Sequence, residues 1–457
     1  MVLVCGPKGS GKSTFCRTLI NSSLTRPGGG SQAAPGETTS KPTIALFDID
    51  PGQPEYVLPG QIALVKIQEC NLGPSYTHPE VVLSSGSQVV QLQCYGSLSP
   101  KGDPAHYLDC VSKLYDSYSS LLNSHGNLPA VINCSGWVQA GGLDLLVQLM
   151  QQLHVSDMVY VSDGSGLEEV TDTLAKACSN NSTRSHTLIS NPPQAVSRTP
   201  AELRSMQTLS YFHLAKPEGG ELRWTHEPLQ DMAPIVIHYS GPNQSILAVM
   251  ILGDEQNPDF FETILEGCLV DIVIVEDELA LPEIKDAHDE DESQKLEDSG
   301  STPDHFHHRS VRRSSTSIPY IPAINHTVRP LHPKYTHSLG QALIRSIDTK
   351  NHQFHLLIPV QFVMPRIHQH LKQKIILVRG KLDTPIWAYK ETFERDKARR
   401  RRREKHAGVE EGVIVVETNA LTKEAPWTSL VEGKRSAGSK KRTGRRDLRY
   451  RSQAKGE

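Results

Sequence analysis

Short apolar segments alternate with amphipathic segments along the first half of the chain. Strand-like apolar runs lie at residues 1–4, 43–50, 62–67, 89–94, 130–134, 157–162 and 186–190. Apolar residues at helical spacing lie between several of these runs, at residues 14–24, 104–122, 143–153 and 167–178. Strands that alternate with helices in this way predict an α/β domain built on a mainly parallel sheet.

The pattern changes after Pro217, where strand-like runs follow one another without long helices between them. These runs lie at residues 235–238, 245–252, 269–275, 355–362 and 375–382. The stretch before them, residues 194–213, is polar and is predicted to be irregular. We therefore expect a second, β-rich domain on the C-terminal side of the α/β domain.

Charge is distributed unevenly along the chain, although the formal net charge is only −3. Residues from Glu394 to the end hold 19 Lys and Arg against 10 Asp and Glu, a net charge of +9, which leaves −12 on residues 1–393. A basic tail of this kind favours nucleic acid or a targeting receptor as its partner, and a solvated tail without a partner is the alternative. Residues 276–298 hold 11 Asp and Glu against 2 Lys, which predicts a disordered acidic insertion.

The 8 cysteines are scattered and include no C-x-x-C pair. This distribution favours a reducing compartment over a disulfide framework or a zinc site. No apolar stretch approaches the ~20 residues that a bilayer-spanning helix needs, and no charged segment precedes the first apolar run. We therefore expect a soluble intracellular protein with no membrane partner.

The stretch from Gly6 to Ser13 fits the phosphate-binding pattern G-x-x-x-x-G-K-[ST] at every fixed position. It lies between the first apolar run and the first predicted helix, which is the context that such a P-loop requires. Its glycines let backbone N–H groups turn towards an anion, and the helix N-terminus adds its positive dipole end. Lys12 would reach the β- and γ-phosphates, and the Ser13 hydroxyl would ligate Mg²⁺. The predicted nucleotide-binding residues are Gly6, Pro7, Lys8, Gly9, Ser10, Gly11, Lys12, Ser13 and Thr14.

Two carboxylates end the second predicted strand, at Asp48 and Asp50. Ligands of open parallel sheets bind at the carboxyl ends of the strands, so both side chains are expected to face the same crevice as the P-loop. Residues 51–54 turn the chain directly afterwards. A capped strand end with solvated carboxylates is the alternative interpretation.

The P-loop and the change of pattern predict three regions. We expect a P-loop domain at residues 1–225 and a β-rich C-terminal domain at residues 226–393, with the acidic insertion at about residues 276–317. A basic disordered tail is expected at residues 394–457.

Several motifs in combination are more specific than the P-loop alone. They are the strand end Asp-Ile-Asp-Pro-Gly-Gln (48–53), Asn-Cys-Ser-Gly-Trp-Val (133–138), Tyr-Gly-Ser-Leu-Ser-Pro (95–100), Leu-Val-Arg-Gly (377–380) and Pro-Ile-Trp-Ala-Tyr (385–389). With these motifs, residues 1–390 resemble the eukaryotic polynucleotide 5′-hydroxyl kinases of RNA processing. The variable P-loop residues 7–10 and the turn at 50–53 are similar to those of the nucleolar branch that handles ribosomal RNA, of the nucleolar-protein-nine type.

The resemblance implies transfer of the γ-phosphate of ATP to the 5′-hydroxyl end of RNA, with Mg²⁺. Lys12 matches the P-loop lysine of the family, and Ser13 matches the metal-ligating hydroxyl. Asp50 matches the carboxylate that holds the metal and can accept the proton of the attacking hydroxyl. These roles agree with chemistry that needs alignment and charge stabilisation more than covalent help.

The resemblance also implies the residues that hold the RNA end. Trp137 matches an aromatic residue that stacks on the terminal base, and Gln53 is a further expected substrate-binding residue. A core or hinge aromatic is the alternative for Trp137. Arg198 and Arg204 lie where the family has a lid with catalytic arginines, although ordinary solvated loop arginines would give the same sequence.

The resemblance further implies a nuclear and nucleolar protein with an endonuclease partner in the processing of ribosomal RNA precursors. The family carries a domain before the P-loop that helps to hold the nucleotide, and the chain as given is expected to lack it. A rival hypothesis is therefore an ATP-binding scaffold of an RNA-processing complex with little kinase activity. A GTPase is disfavoured because the sequence has no Asn-Lys-x-Asp motif.

Overall fold

The computed structural model describes the chain in eight segments. They are residues 1–25, 42–79, 87–164, 168–191, 198–215, 223–281, 310–369 and 374–406. The chain forms two compact units, Met1–Phe393 and Glu394–Glu457. Within the described segments, no helix has the length and apolar character to cross a membrane.

The first sheet of the larger unit is mainly parallel. Its strands are β1 (Val2–Cys5), β2 (Ile44–Ile49), β3 (Gln61–Ile67), β4 (Gln88–Cys94), β5 (Ala130–Cys134), β6 (Asp157–Ser162) and β7 (Arg184–Ile189). They lie in the order β4-β3-β2-β5-β1-β6-β7. Strands β2, β5, β1, β6 and β7 run parallel to their neighbours in this order, while β3 and β4 form an antiparallel extension beside β2.

Helices cover both faces of this sheet. They are α1 (Lys12–Thr25), α2 (Pro104–His125), α3 (Gly141–Gln152) and α4 (Glu168–Asn180). A fifth helix, α5 (Pro200–Phe212), follows this sheet in the chain, and its Tyr211 and Phe212 pack in the core of the second sheet. Side chains alternate between the two faces of a strand, so Leu3 and Phe47 join the core beneath α2, α3 and α4. Val4 and Leu46 point the other way and pack with Cys16 of α1. The alternating apolar strands and helices therefore form an α/β domain, as the sequence predicts.

The second sheet is rich in antiparallel pairs. Its strands are β10 (Ile235–His238), β11 (Ala248–Ile251), β13 (Leu269–Val275), β14 (Arg312–Arg313), β15 (Pro319–Tyr320), β17 (Thr336–Asp348), β18 (Gln353–Leu357) and β19 (Lys374–Arg379). They lie in the order β10-β18-β17-β13-β19-β11-β15-β14. Two short pairs, β8 (Leu214–Ala215) with β9 (Arg223–Trp224) and β12 (Gly253–Asp254) with β16 (Thr327–Val328), complete the strands described.

The helices of the β-rich region are short, except for the last one. They are α6 (Phe261–Leu265), α7 (Val360–Gln369) and α8 (Trp387–His406). The predicted β-rich C-terminal region is confirmed as part of a mixed α/β fold. The proposed division near residue 225 stays a prediction, because both sheets belong to the unit Met1–Phe393.

Two local predictions are wrong. Residues 194–213 were expected to be irregular, but residues 200–212 form helix α5, which begins with a capping box between Thr199 and Glu202 and has Pro200 in its first turn. The predicted strand at residues 355–362 ends at Leu357, and α7 begins at Val360. Apolar runs of this length do not distinguish a strand that ends from a helix that begins.

The structure also differs from the predicted disorder at two places. Residues 394–406 of the basic tail continue helix α8, because Arg, Lys, Glu and Ala are strong helix formers. Within the acidic insertion, residues 278–280 form a 3₁₀ turn, and residues 312–313 form β14. The rest of the predicted insertion and tail, residues 282–309 and 407–457, lies outside the described residues.

A buried polar seam joins the two sheets. The Gln61 side-chain amide in β3 donates a hydrogen bond to Asp271 in β13, and the Ser338 hydroxyl donates to the same carboxylate at 2.9 Å. The Gln341 amide donates to the Pro59 carbonyl oxygen at 2.9 Å. Burial raises the pKa of Asp271 to about 6, although these hydrogen bonds oppose the shift. The seam fixes the position of the β-rich region beside β3 and β4.

Candidate active site

The P-loop connects β1 to α1 at the carboxyl edge of the first sheet. Gly6, Gly9 and Gly11 have φ angles of +144°, +81° and +97°, which favour glycine because residues with a Cβ rarely adopt them. A Cβ on Gly6 would lie 2.3 Å from the carbonyl oxygen of Val161, so the loop also packs closely against β6. The sequence pattern therefore builds a loop whose N–H groups can surround a phosphate.

Two side chains of this loop fit a phosphate ligand. The buried hydroxyl of Ser10 has no hydrogen-bond partner among the described residues. The Lys12 side chain is only 6% exposed, and its amine donates a hydrogen bond to the carbonyl oxygen of Pro7 at 2.9 Å. Burial lowers the pKa of Lys12, while nearby Asp50 acts to raise it. A triphosphate would supply both the acceptor that Ser10 lacks and the charge that Lys12 requires.

The two carboxylates at the end of β2, Asp48 within the strand and Asp50 directly after it, have different surroundings. Asp48 is fully buried, and its Oδ2 accepts hydrogen bonds from the backbone N–H groups of Glu55 and Tyr56 at 2.7 and 3.0 Å. Burial raises the pKa of Asp48 to about 7, against these hydrogen bonds. Asp50 accepts from the N–H groups of Gly52 and Gln53 at 3.0 and 3.3 Å. Asp48 is thus a structural anchor of the following loop, and Asp50 is the carboxylate that faces the charge of Lys12.

Asn133 in β5 links Asp48 to the P-loop. Its side-chain amide donates to Asp48 Oδ1 at 3.3 Å, and its oxygen accepts from the Ser13 hydroxyl at 3.4 Å. Asn133 therefore orients the hydroxyl that was predicted to ligate a metal. The oxygen atoms of Ser13 and Asp50 are hard donors of the kind that Mg²⁺ prefers, so the residues present fit a magnesium–nucleotide complex.

Glu55 holds the loop after Asp50 against the P-loop helix. Its buried carboxylate accepts two hydrogen bonds from Arg17 of α1, at 2.9 and 3.0 Å, and one from Asn71 at 2.9 Å. The ring of His78 lies 3.2 Å from Glu55 Oε1. Burial alone would raise the pKa of Glu55, but the hydrogen bonds from His78 and Arg17 outweigh burial and hold it below its usual value. Because Asp48 binds the backbone of the same residue, Glu55 couples α1 to the loop that carries Asp50.

We expect Glu55→Gln to destabilise the fold in a pH-dependent way. A hydrogen bond to a charged group contributes about 1.5–3 kcal/mol, so the free energy of unfolding should fall by roughly that amount at neutral pH. The carboxylate of the native protein stabilises the fold above its ordinary pKa, and this contribution is lost as the pH falls through the lowered pKa of the folded state. Denaturant unfolding of both proteins at several pH values measures this, and the difference in their free energies of unfolding should become smaller at acid pH.

The exposed residue Glu227 provides the control, because Glu227→Gln removes a charge without a buried partner. The prediction is contradicted if Glu55→Gln lowers the free energy of unfolding by the same amount at neutral and at acid pH, because Glu55 would then not be ionised in the folded protein.

The loop after β5 touches the P-loop. A Cβ on Gly136 would lie 2.8 Å from the Lys8 Cα atom and 2.9 Å from its nitrogen. The next residue, Trp137, is half-buried and packs against the core of the first sheet. Its ring covers the start of α3, because Cβ atoms on Gly141 and Gly142 would lie 3.4 and 2.8 Å from ring atoms. Trp137 is therefore beside the nucleotide loop, with one part of its ring buried and the remainder accessible.

We expect Gly136→Ala to weaken nucleotide binding while the protein remains folded. The new methyl group has backbone atoms of Lys8 as its nearest neighbours, so the P-loop itself must move. A displacement of the loop misaligns several N–H donors at once, and we expect a loss of about 10-fold or more in ATP affinity. Isothermal titration with ATP measures this loss. Gly102→Ala is the control, since a Cβ there has no atom within 4 Å. Equal ATP affinities of the two variants would contradict the close approach of Gly136 to Lys8.

The two predicted lid arginines lie at α5. Arg198 is exposed directly before the residue that caps this helix. Arg204 forms an ion pair with Asp383, with 2.8 Å between Nε and Oδ2. Both members of this pair line a small cavity with Leu98, whose carbonyl oxygen approaches the turn at Gly52. The structure thus places Asp50 and Gln53 beside the P-loop, brings the residue before Trp137 against Lys8, and pairs Arg204 with Asp383. The roles of all these residues remain predictions.

The sequence predicts no role for Asn133, Glu55 or Arg17. Asn133 carried a visible signal, because a polar residue interrupts an otherwise apolar buried strand. Glu55 and Arg17 are 38 positions apart, and nothing in their spacing indicates that they meet.

An α/β sheet that carries a P-loop opposite an acidic strand end defines a P-loop nucleotide-binding protein. Residues 6–214 match the family model described as mRNA cleavage and polyadenylation factor CLP1 P-loop. The matched residues include the P-loop and the acidic strand end at Asp50.

The chain is similar to several curated fungal proteins. It is 35% identical over 427 residues to polynucleotide 5′-hydroxyl-kinase grc3 of Aspergillus clavatus, an alignment that covers 86% of this chain and 50% of that protein. The protein of the same name from Emericella nidulans is 35% identical over 466 residues, covering 94% of this chain and 56% of the relative. The chain therefore spans about half the length of the curated relatives it matches.

A solved complex of Clp1p with Pcf11p resembles the fold. The TM-score is 0.50 at 15% sequence identity, and the alignment covers 82% of this chain and 74% of Clp1p. At this identity the likeness shows the fold alone.

Proposed function

We propose that the protein is an ATP-dependent polynucleotide kinase that transfers the γ-phosphate of ATP to the 5′-hydroxyl end of RNA. The observation that carries the proposal is the buried Lys12, held in a P-loop within electrostatic reach of Asp50. The relatives named polynucleotide 5′-hydroxyl-kinase match 86–94% of the chain, which supports the same reaction.

Each residue of the P-loop crevice has a part in this reaction. The N–H groups of the loop and the start of α1 bind the phosphates, and Lys12 stabilises negative charge between the β- and γ-phosphates. Ser13 and Asp50 would hold Mg²⁺, which neutralises charge on the phosphate oxygens when it is bound. Asp50 also accepts the proton of the 5′-hydroxyl as that oxygen forms its bond to phosphorus and the bond to ADP breaks. Asn133 keeps the Ser13 hydroxyl in place throughout.

The RNA end would lie on the other side of the crevice. Trp137 offers the accessible part of its ring to the terminal base, an interaction that does not depend on sequence. Gln53 lies in the same turn as Asp50 and supplies a polar contact to the ribose or its hydroxyl. Arg198 is exposed and would turn towards the transferring phosphate. Arg204 would first exchange its carboxylate partner, Asp383, for phosphate.

The family resemblance supports a more specific role. We infer that the RNA is a ribosomal RNA precursor, that an endonuclease partner creates its 5′-hydroxyl end, and that the protein acts in the nucleus and nucleolus. The basic segment from residue 394 onward supports contact with RNA or with an import receptor, since it holds 19 Lys and Arg.

Transfer of labelled γ-phosphate to a 5′-hydroxyl RNA oligonucleotide tests the proposal. We expect the native protein to label this oligonucleotide and to leave the same sequence unlabelled when it already carries a 5′-phosphate. ATP binding without any transfer would overturn the kinase and identify the nucleotide-binding scaffold instead. Lack of ATP binding in a folded protein would exclude both.

A further inference from the structure

A second cavity lies where the two sheets meet. It has a volume of about 170 Å³ and lies between the end of β4 and the segment that follows β19. Tyr95 and Ser97 line one wall, and Lys381 and Arg329 line the other. None of the roles assigned to the P-loop crevice uses these residues.

The cavity is continuous with the predicted catalytic turn. Lys381 donates its backbone N–H to the Gly96 carbonyl oxygen at 2.7 Å, and its backbone pairs with that of Ser97. One residue further on, the carbonyl oxygen of Leu98 would lie 2.7 Å from a Cβ on Gly52, in the turn that follows Asp50. Only β3 separates β4 from β2 in the sheet. At about 4.8 Å per strand, the cavity lies roughly 10 Å along the sheet edge from the end of β2.

Positive charge dominates the cavity. Lys381 and Arg329 are exposed, and neither forms an ion pair with any residue in the segments that the structure covers. The Lys381 side chain lies across Gly253, since a Cβ there would be 2.9 Å from its amine. The carboxylate of Asp103 also lines the cavity and sets one negative charge against these two positive charges; its Oδ1 accepts the His106 N–H at 3.0 Å and caps α2. Burial lowers the pKa of His106, so this ring adds little charge.

We propose that this cavity is a subsite for a backbone phosphate of single-stranded RNA, beyond the first phosphodiester that follows the nucleotide accepting the phosphoryl group. The inference rests on the proposed kinase function and adds to it a specificity for acceptor length. Two unpaired cations at one edge of the crevice attract a phosphodiester. The short distance from Asp50 lets the same strand occupy both places. An acceptor that ends before this subsite loses the contribution of Lys381 and Arg329.

The test compares the native protein with the double variant Lys381→Ala/Arg329→Ala. Two readouts are used: KM for a dinucleotide and for a longer 5′-hydroxyl oligonucleotide, and binding of the labelled longer strand without ATP at several salt concentrations. We expect KM for the longer strand to rise several-fold, with KM for the dinucleotide and for ATP unchanged. The slope of log K against log salt should decrease by about 0.7 per lost phosphate contact.

The matched control is Lys350→Ala/Lys176→Ala, which removes two positive charges from exposed positions on the turn after β17 and on α4. An unchanged salt slope in the Lys381/Arg329 variant, or equal rises of KM for both acceptors, would overturn the subsite. Failure of the native protein to phosphorylate either acceptor would instead contradict the kinase proposal. In that case the salt dependence of strand binding still tests the subsite, because this measurement requires no turnover.

Discussion

Replacing Lys12 with alanine is expected to lower the rate of phosphoryl transfer by ~10²–10³-fold, the usual cost of losing one electrostatic stabiliser in a closed site. The Lys12 amine lies against the loop's own Pro7 carbonyl at 2.9 Å, and a triphosphate offers a stronger, charged acceptor at the same place. The side chain is 6% exposed, so water cannot replace its charge. The kcat for a 5′-hydroxyl oligonucleotide, with thermal unfolding as a check on folding, measures the effect.

Lys176→Ala serves as the control for this substitution, because Lys176 is an exposed residue of α4 and lies outside the P-loop. It should retain native turnover. If folded Lys12→Ala kept activity within about a factor of three of native, this P-loop would not be the catalytic phosphate site.

Asp50→Asn should reduce turnover by ~10²–10⁴-fold, the range for loss of a general base, while ATP still binds. Burial raises the pKa of Asp50, and Lys12 together with the N–H groups of Gly52 and Gln53 favours its ionised form. Asparagine keeps the shape of this side chain but can neither accept the proton nor supply the charge that holds the metal. Single-turnover kinetics at saturating ATP separate this loss from any change in nucleotide affinity.

Asp48→Asn provides the comparison. Asp48 accepts hydrogen bonds from two backbone N–H groups and from Asn133, and an amide at this position would turn a donor towards another donor. We therefore expect a lower unfolding temperature and a smaller loss of turnover than for Asp50→Asn. If Asp48→Asn abolished transfer in a folded protein and Asp50→Asn did not, the two carboxylates would have exchanged roles.

The first sheet could be predicted from the sequence because its strands are continuous apolar runs between helices. Strands β2, β5 and β6 lie within one residue of their predicted bounds. Helix α5 could not be found by apolar periodicity, because its buried residues include the polar side chains Gln207 and Thr208. The capping box at its start was a readable signal that periodicity alone does not use. Strand β17 was missed for a related reason, since Ser338 and Gln341 interrupt its apolar pattern and are buried at the seam.

The site was predictable where chemistry is local in sequence. The P-loop is a contiguous motif, and the strand end at Asp50 follows from sheet topology. Contacts such as Arg17 with Glu55 and Arg204 with Asp383 join residues that are distant along the chain. Such pairs depend on how the loops fold over the sheet edge, which neither spacing nor composition determines.

The polar seam between the sheets determines what happens when the chain is cut between them. Two fragments divided near residue 225 would each present hydrogen-bonding groups, at Gln61 on one side and Asp271 on the other, instead of a wholly apolar face. Water can satisfy these groups in separated fragments, whereas the cut would also expose Tyr211 and Phe212, which pack in the core of the second sheet. In the joined state, burial raises the pKa of Asp271 to about 6, above the ordinary value of a carboxyl group. Reassembly of the halves is therefore favoured in mild acid and weakens as the pH rises through this value.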